Sequence, residues 1–150
     1  MNRQTNSVTL LTFALMLCWL APAMVVQAQT SRESSAASYL ERGNEWMAKG
    51  ELDRAIADYD LAIAFSSTFA EAYYNRGLAR QRKGDLAGTL SDFDRAIQLN
   101  PRYADAYLNR GAVRCEQGHY DAAISDFSKA IEINPRDARA WGNRGSARGD

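Results

Sequence analysis

The chain has 150 residues, enough for one domain, and an ordinary globular composition with 46% hydrophobic and 24% charged residues. Eighteen lysines and arginines balance eighteen aspartates and glutamates, so there is no surplus of either sign to draw in nucleic acid or an anionic membrane. One histidine and two cysteines do not make a metal site of ordinary ligand spacing.

Residues 1–28 differ from the rest. Arg3 is their one charge, an apolar run extends from Val8 to Leu20, and small residues lead to Val26-Gln27-Ala28. A basic start, an apolar centre and small residues at the scissile end are the order of a secretory signal peptide. Cleavage is expected after Ala28, leaving Gln29–Asp150 with 17 bases against 18 acids. Ala21-Pro22-Ala23 is a weaker cleavage position, and Leu17 is too bulky to precede a lipidated Cys18. The alternative is an uncleaved anchor, because Val8 to Val26 approaches the ~20 apolar residues that span a bilayer. Thr9, Thr12 and Pro22 argue against it. Without the leader Cys115 is the only thiol, so packing rather than an internal disulfide must hold the fold.

A short polar linker, 29–35, precedes a repeat. Ala70–Tyr103 laid over Ala104–Asp137 gives 16 identities in 34 positions; 36–69 falls in the same register, and 138–150 begins a fourth copy. Each copy has helical periodicity in two stretches. In the second copy Tyr73, Gly77 and Arg80 form one stripe, and Leu86, Leu90, Phe93 and Ile97 form the next. Gly50, Gly84 and Gly118 stand where a first helix should stop. Glu51 and Asp85 follow as favourable N-terminal groups. Asn100-Pro101 and Asn134-Pro135 end the second helix, since proline forces its predecessor out of helical geometry. Each unit therefore reads as two antiparallel helices joined by a short turn.

At this point the unit resembles a tetratricopeptide repeat, a 34-residue helix–turn–helix. The pattern of aromatic, small residue and alanine stands as Tyr39, Gly43, Trp46, Ala55, Tyr59 and Ala62 in the first copy. It recurs as Tyr73, Gly77, Phe93, Ala96 and Pro101, then as Tyr107, Gly111, Ala123, Phe127, Ala130 and Pro135. The resemblance implies an all-α superhelical solenoid of antiparallel helix pairs. Thr89 replaces a small alanine and Ser67 a proline. Arg42, Arg76, Arg110 and Arg144 form a column where the family usually has leucine, with Arg80, Arg114 and Arg148 four residues on. A charge near a core seam needs a partner, and Asp58, Asp92 and Asp126 recur at the same period. We expect an arginine–aspartate ladder stitching helices or neighbouring repeats together; the alternative is that these arginines only reach solvent.

No catalytic constellation emerges, and the chain does not read as an enzyme or as a cofactor binder. His119 lies at a turn, where a surface or capping role is expected, and nothing around it suggests a nucleophile elbow. The glycines form no phosphate-binding fingerprint. Arg148-Gly149-Asp150 spells an adhesion tripeptide, but its arginine already belongs to the repeat register.

A stack of such units presents a concave surface, which the resemblance implies is lined by the first helix of each repeat. Helical spacing then places Leu40, Glu41, Asn44 and Met47 on it, followed by Tyr74, Asn75, Leu78 and Arg82. Leu108, Asn109, Ala112 and Cys115 come next, and finally Asn143. Asparagine amides can meet a peptide backbone while Leu40, Met47, Tyr74 and Leu108 bury ligand side chains. Some members of the family clamp a chaperone's C-terminal carboxylate with two lysines, an arginine and two asparagines. Asn44 and Asn75 fit the asparagine places, but Leu40, Asp105 and Asn109 occupy the basic ones, so that ligand class is rejected. Helix 138–150, with Gly142 and Gly145, is a poor helix former. The expected function is binding of a protein or peptide outside the cytoplasm, periplasmic or secreted. The alternative is a scaffold subunit that forms a homo-oligomer through its C-terminal end.

Overall fold

The computed structural model describes residues 5–149, with side chains from Met24 onward. Seven helices follow one another: α1 (Thr5–Ala48), α2 (Leu52–Phe65), α3 (Ala70–Lys83), α4 (Leu86–Leu99), α5 (Ala104–Glu116), α6 (Tyr120–Ile133) and α7 (Ala138–Arg148). No strand occurs among the described residues. The C-terminal part of α1 packs on α2, α3 on α4 and α5 on α6; each pair then packs on the next, and α7 closes against α6. This is an all-α solenoid.

Local chemistry sets the boundaries. Gly84 caps α3 at φ 83°, a left-handed conformation that glycine adopts without a Cβ penalty, and its N–H donates to the Arg80 and Gln81 carbonyls. Gly50 and Gly118 take the same conformation. Asp85 accepts from the Gly88 amide at 2.9 Å and so caps α4. Asn100 and Asn134 end α4 and α6 before their prolines. α2 stops at Ser66 with no proline, its amide bonded to the Ala62 carbonyl.

The core is a periodic seam. Tyr59, Phe93 and Phe127 are essentially inaccessible, as are Ala55, Ala62, Ala96, Ala123 and Ala130. Burying one such ring contributes about 2–3 kcal/mol. Glycine opposite each ring permits the contact: a Cβ on Gly77 would lie 2.8 Å from the Phe93 ring, and one on Gly111 2.7 Å from Phe127. Thr89 is accommodated because its hydroxyl donates to the Asp85 carbonyl at 2.7 Å.

The expected leader falls mostly on residues 1–23, whose side chains lie outside the described residues. Residues 29–35, expected as a linker, are helical and continuous with the first helix of the repeat array. Among the described residues no helix is long and apolar enough to cross a membrane.

Candidate functional site

Two polar systems run along the array, and one of them is structural. The Arg110 guanidinium grips Asp126 with two donors, Nε to Oδ2 at 3.0 Å and Nη2 to Oδ1 at 2.5 Å. Arg76 grips Asp92 the same way, and Arg42 grips Asp58. Arg80 and Arg114 add a further donor to Asp92 and Asp126. The three aspartates are buried, and burial is tolerable because each carboxylate oxygen accepts a hydrogen bond from an arginine. Burial works against the charge on Arg76 and Arg110, but their carboxylate hydrogen bonds outweigh it and hold both above the usual arginine value.

The rungs between neighbouring repeats use aspartates outside the expected column. Nη1 of Arg76 reaches back to Asp60 of the preceding repeat at 2.5 Å, and Nη1 of Arg110 reaches Asp94 at 2.6 Å. Each arginine therefore ties two helices of its own repeat and one of its neighbour. The signal was present, since Asp60 and Asp94 stand 34 residues apart. In the third copy that place holds Ser128, and Arg144 touches its hydroxyl at 3.4 Å.

The second system faces the groove. The Asn44 carbonyl oxygen accepts from both the Tyr59 hydroxyl and the Asn75 amide, at 2.9 Å each. One repeat later Asn109 donates to the Tyr74 hydroxyl at 2.8 Å, and the Tyr74 ring leans on Phe93 and Tyr103 with centroids 5.7 and 4.7 Å away. Burial raises the Tyr74 hydroxyl pKa and pushes that of Tyr59 up to about 12, so both remain protonated.

Of the expected groove residues, Asn44, Met47, Asn75, Leu78 and Arg82 line one recess of about 250 Å³ together with Ala48 and Tyr59. Ala112, Cys115 and Asn143 line a second, of about 230 Å³, with Tyr120, Phe127, Ser146 and Ala147. Tyr74 and Asn109 form the bridge described above. Glu41 is exposed and outside both recesses. Leu40 and Leu108 are corrections: they are 6% and 3% exposed and belong to the core. Helical spacing placed them on the correct face but not at the correct depth, because the neighbouring helices close over them. Tyr59, Tyr120 and Phe127 come from second helices, which a reading confined to first helices could not supply.

Nothing in either recess forms a reactive constellation. Burial raises the Cys115 thiol pKa, which disfavours the thiolate. His119 is exposed at the start of α6 and its side chain makes no capping bond. Among the described residues no group of three His, Cys, Asp or Glu side chains could hold a metal ion.

A family model described as "Tetratricopeptide repeat" matches residues 70–103 and 104–137, and one described as "TPR repeat" matches 43–84. Among solved structures, the first TPR of Spaghetti (RPAP3) bound to the HSP90 peptide SRMEEVD is 26% identical. It aligns over 78% of this chain and 93% of its own, with a TM-score of 0.76. MamA is 33% identical over 76% of this chain and 67% of its own, with a TM-score of 0.73. The second TPR domain of human RPAP3, in complex with the HSP70 peptide SGPTIEEVD, is 25% identical over 80% and 98%, with a TM-score of 0.71. No curated protein sequence matches.

Proposed function

The chain belongs to the tetratricopeptide repeat family, and on that premise we propose that it is a non-catalytic adaptor holding a protein or peptide in the groove of its first helices. The observation that carries this reading is the pair of recesses flanking the Tyr74–Asn109 bridge, where apolar walls and amide groups face the same surface. The RPAP3 domains bound to HSP90 and HSP70 peptides support a peptide as the ligand class. A carboxylate clamp of the family's kind is not proposed: Leu40 is buried, and Asp105 is engaged by Arg139 at 2.8 Å. Action outside the cytoplasm rests on the composition of residues 1–28.

The test is affinity capture with the purified chain, compared with Tyr74→Ala and Asn109→Ala. Both variants should stay helical and lose the captured partner. Retention of every partner by both would remove the groove from consideration. Cell fractionation with N-terminal sequencing tests the location; a cytoplasmic pool beginning at Met1 would contradict it.

One observation favours a second reading, an assembly subunit pairing through α7. Gly43, Gly77 and Gly111 each meet an aromatic ring within 3.0 Å of an added Cβ, whereas at Gly145 nothing lies within 4 Å, and Trp141 beside it is 49% exposed. Sedimentation equilibrium should then show association that Trp141→Ala abolishes; a monomer at every concentration would refute it.

A further inference from the structure

The two recesses are one feature repeated. Met47, Tyr59 and Leu78 of the first recur as Cys115, Phe127 and Ser146 of the second, each two 34-residue units later. The junction between them is occupied instead. There Tyr74 stands in the column of Leu40 and Leu108, and its longer side chain lies against Phe93 and bonds to Asn109. The first recess lies between α1 and α3 and the second between α5 and α7. With neighbouring helices roughly 10 Å apart, the recess centres are roughly 20 Å apart. An extended chain covers that distance in about six residues.

The recesses differ in charge. Arg82 stands exposed on the rim of the first, and its guanidinium reaches only the Met47 carbonyl, at 3.4 Å. No carboxylate lies within ion-pair range of it among the described residues, unlike Arg76, Arg80, Arg110 and Arg114, each of which holds an aspartate. The walls of the second recess carry no charge. Beside Arg82, the Asn44 amide nitrogen and the Asn75 carbonyl oxygen have no hydrogen-bond partner among the described residues. Together they offer one donor and one acceptor, the complement of a peptide unit.

Resting on the adaptor reading above, we infer that the groove takes one extended polypeptide segment carrying two apolar side chains about six residues apart, with an aspartate or glutamate beside the first. The apolar side chains fill the recesses, the carboxylate meets Arg82, and Tyr74 with Asn109 forms the saddle that the backbone crosses.

The test is selection of a random twelve-residue phage-displayed peptide library on the immobilised full chain, read by sequencing. Enriched peptides should show paired apolar positions five to seven apart, with an acidic residue flanking one. Arg82→Glu should replace that acidic preference by a basic one, and Ser146→Trp should weaken the selected peptides at least tenfold. Both variants are checked for helical content, and because both residues are exposed, neither change should disturb the core. Groove-dependent peptides with a single anchor, another spacing or a helical 3–4 apolar period would overturn this inference and leave the adaptor reading standing. Enrichment of no peptide, or only of peptides indifferent to Tyr74→Ala and Asn109→Ala, would overturn both.

Discussion

Arg110 and Asp126 are joined by two parallel hydrogen bonds across α5 and α6, and the same arginine extends its remaining terminal nitrogen to Asp94 on α4. One side chain thus fixes both the pairing of helices within a repeat and the stacking of one repeat on another. In a repeat array these are the two terms whose sum is the stability.

Replacing that arginine alone should be costly. Arg110→Leu leaves Asp126 buried with only Arg114 to compensate it, and unmatched buried charges cost about 3–5 kcal/mol. We expect about 3 kcal/mol in urea unfolding followed by circular dichroism. Adding Asp126→Leu should recover much of the loss, because the uncompensated carboxylate is then gone. A single-variant loss below about 0.5 kcal/mol, the range of surface substitutions, would show the ladder to be ornamental.

The first rung gives a pH signature. The hydrogen bonds from Arg42 hold the Asp58 carboxyl below its ordinary value of 3.8, with a smaller contribution from Trp46. A depressed folded-state pKa means that the unfolded chain binds more protons between the folded value and 3.8, so stability falls with acidification in that window. The contribution is fully present above the unfolded value. The stability difference between the wild type and Asp58→Asn should therefore be constant near neutrality and shrink as pH falls through and below 3.8. Arg42 is half exposed, so added salt should reduce the difference as well. A difference independent of pH down to 2 would contradict the depressed carboxyl.

The glycine column separates close packing from helix propensity. A Cβ at Gly111 would meet the buried Phe127 ring at 2.7 Å, a distance at which ring or helix must shift. Gly111→Ala should cost about 1–3 kcal/mol. At Gly145 nothing lies within 4 Å, so Gly145→Ala should stabilise α7 by up to about 1 kcal/mol through propensity alone. Thermal unfolding of the two variants should move in opposite directions; stabilisation in both would show that propensity, not ring contact, decides the column.

The fold was legible because the 34-residue period repeats both the apolar seam and its punctuation. Gly84 and Asn100-Pro101 mark helix ends through local backbone chemistry that needs no tertiary information. The Arg76–Asp92 pair was legible too, since a charge at a seam position demands a partner and only the Asp58, Asp92, Asp126 column is acidic in all three copies. Depth was not legible. Leu40, Tyr74 and Leu108 occupy one column, yet the leucines are buried and the tyrosine bridges to Asn109. Which of them sinks depends on side-chain length against a helix from the next repeat. The back-reaching contacts to Asp60 and Asp94 were missed for a related reason: spacing within a unit says nothing about which neighbour an arginine's third nitrogen will find.

The interruption of that last column yields the final prediction. Asp60 and Asp94 receive Nη1 of the arginine that follows 16 residues later, but Arg144 meets only the Ser128 hydroxyl, at 3.4 Å, and stacks over Trp141 at 4.6 Å. Helix α7 is thus attached without the charged rung that the two earlier interfaces possess. Ser128→Asp restores the column at a partly exposed site, where an ion pair is worth about 0.5–1 kcal/mol. Amide hydrogen exchange along Ala138–Arg148 should slow about two- to fivefold, while exchange in α3 and α4 stays unchanged. High salt should erase most of the gain, since the new pair is not fully buried. If α7 exchanges at the wild-type rate in the variant, its attachment is governed by packing of Ala140, the Asp137 cap and the Arg139–Asp105 pair, and the ladder ends at Arg110.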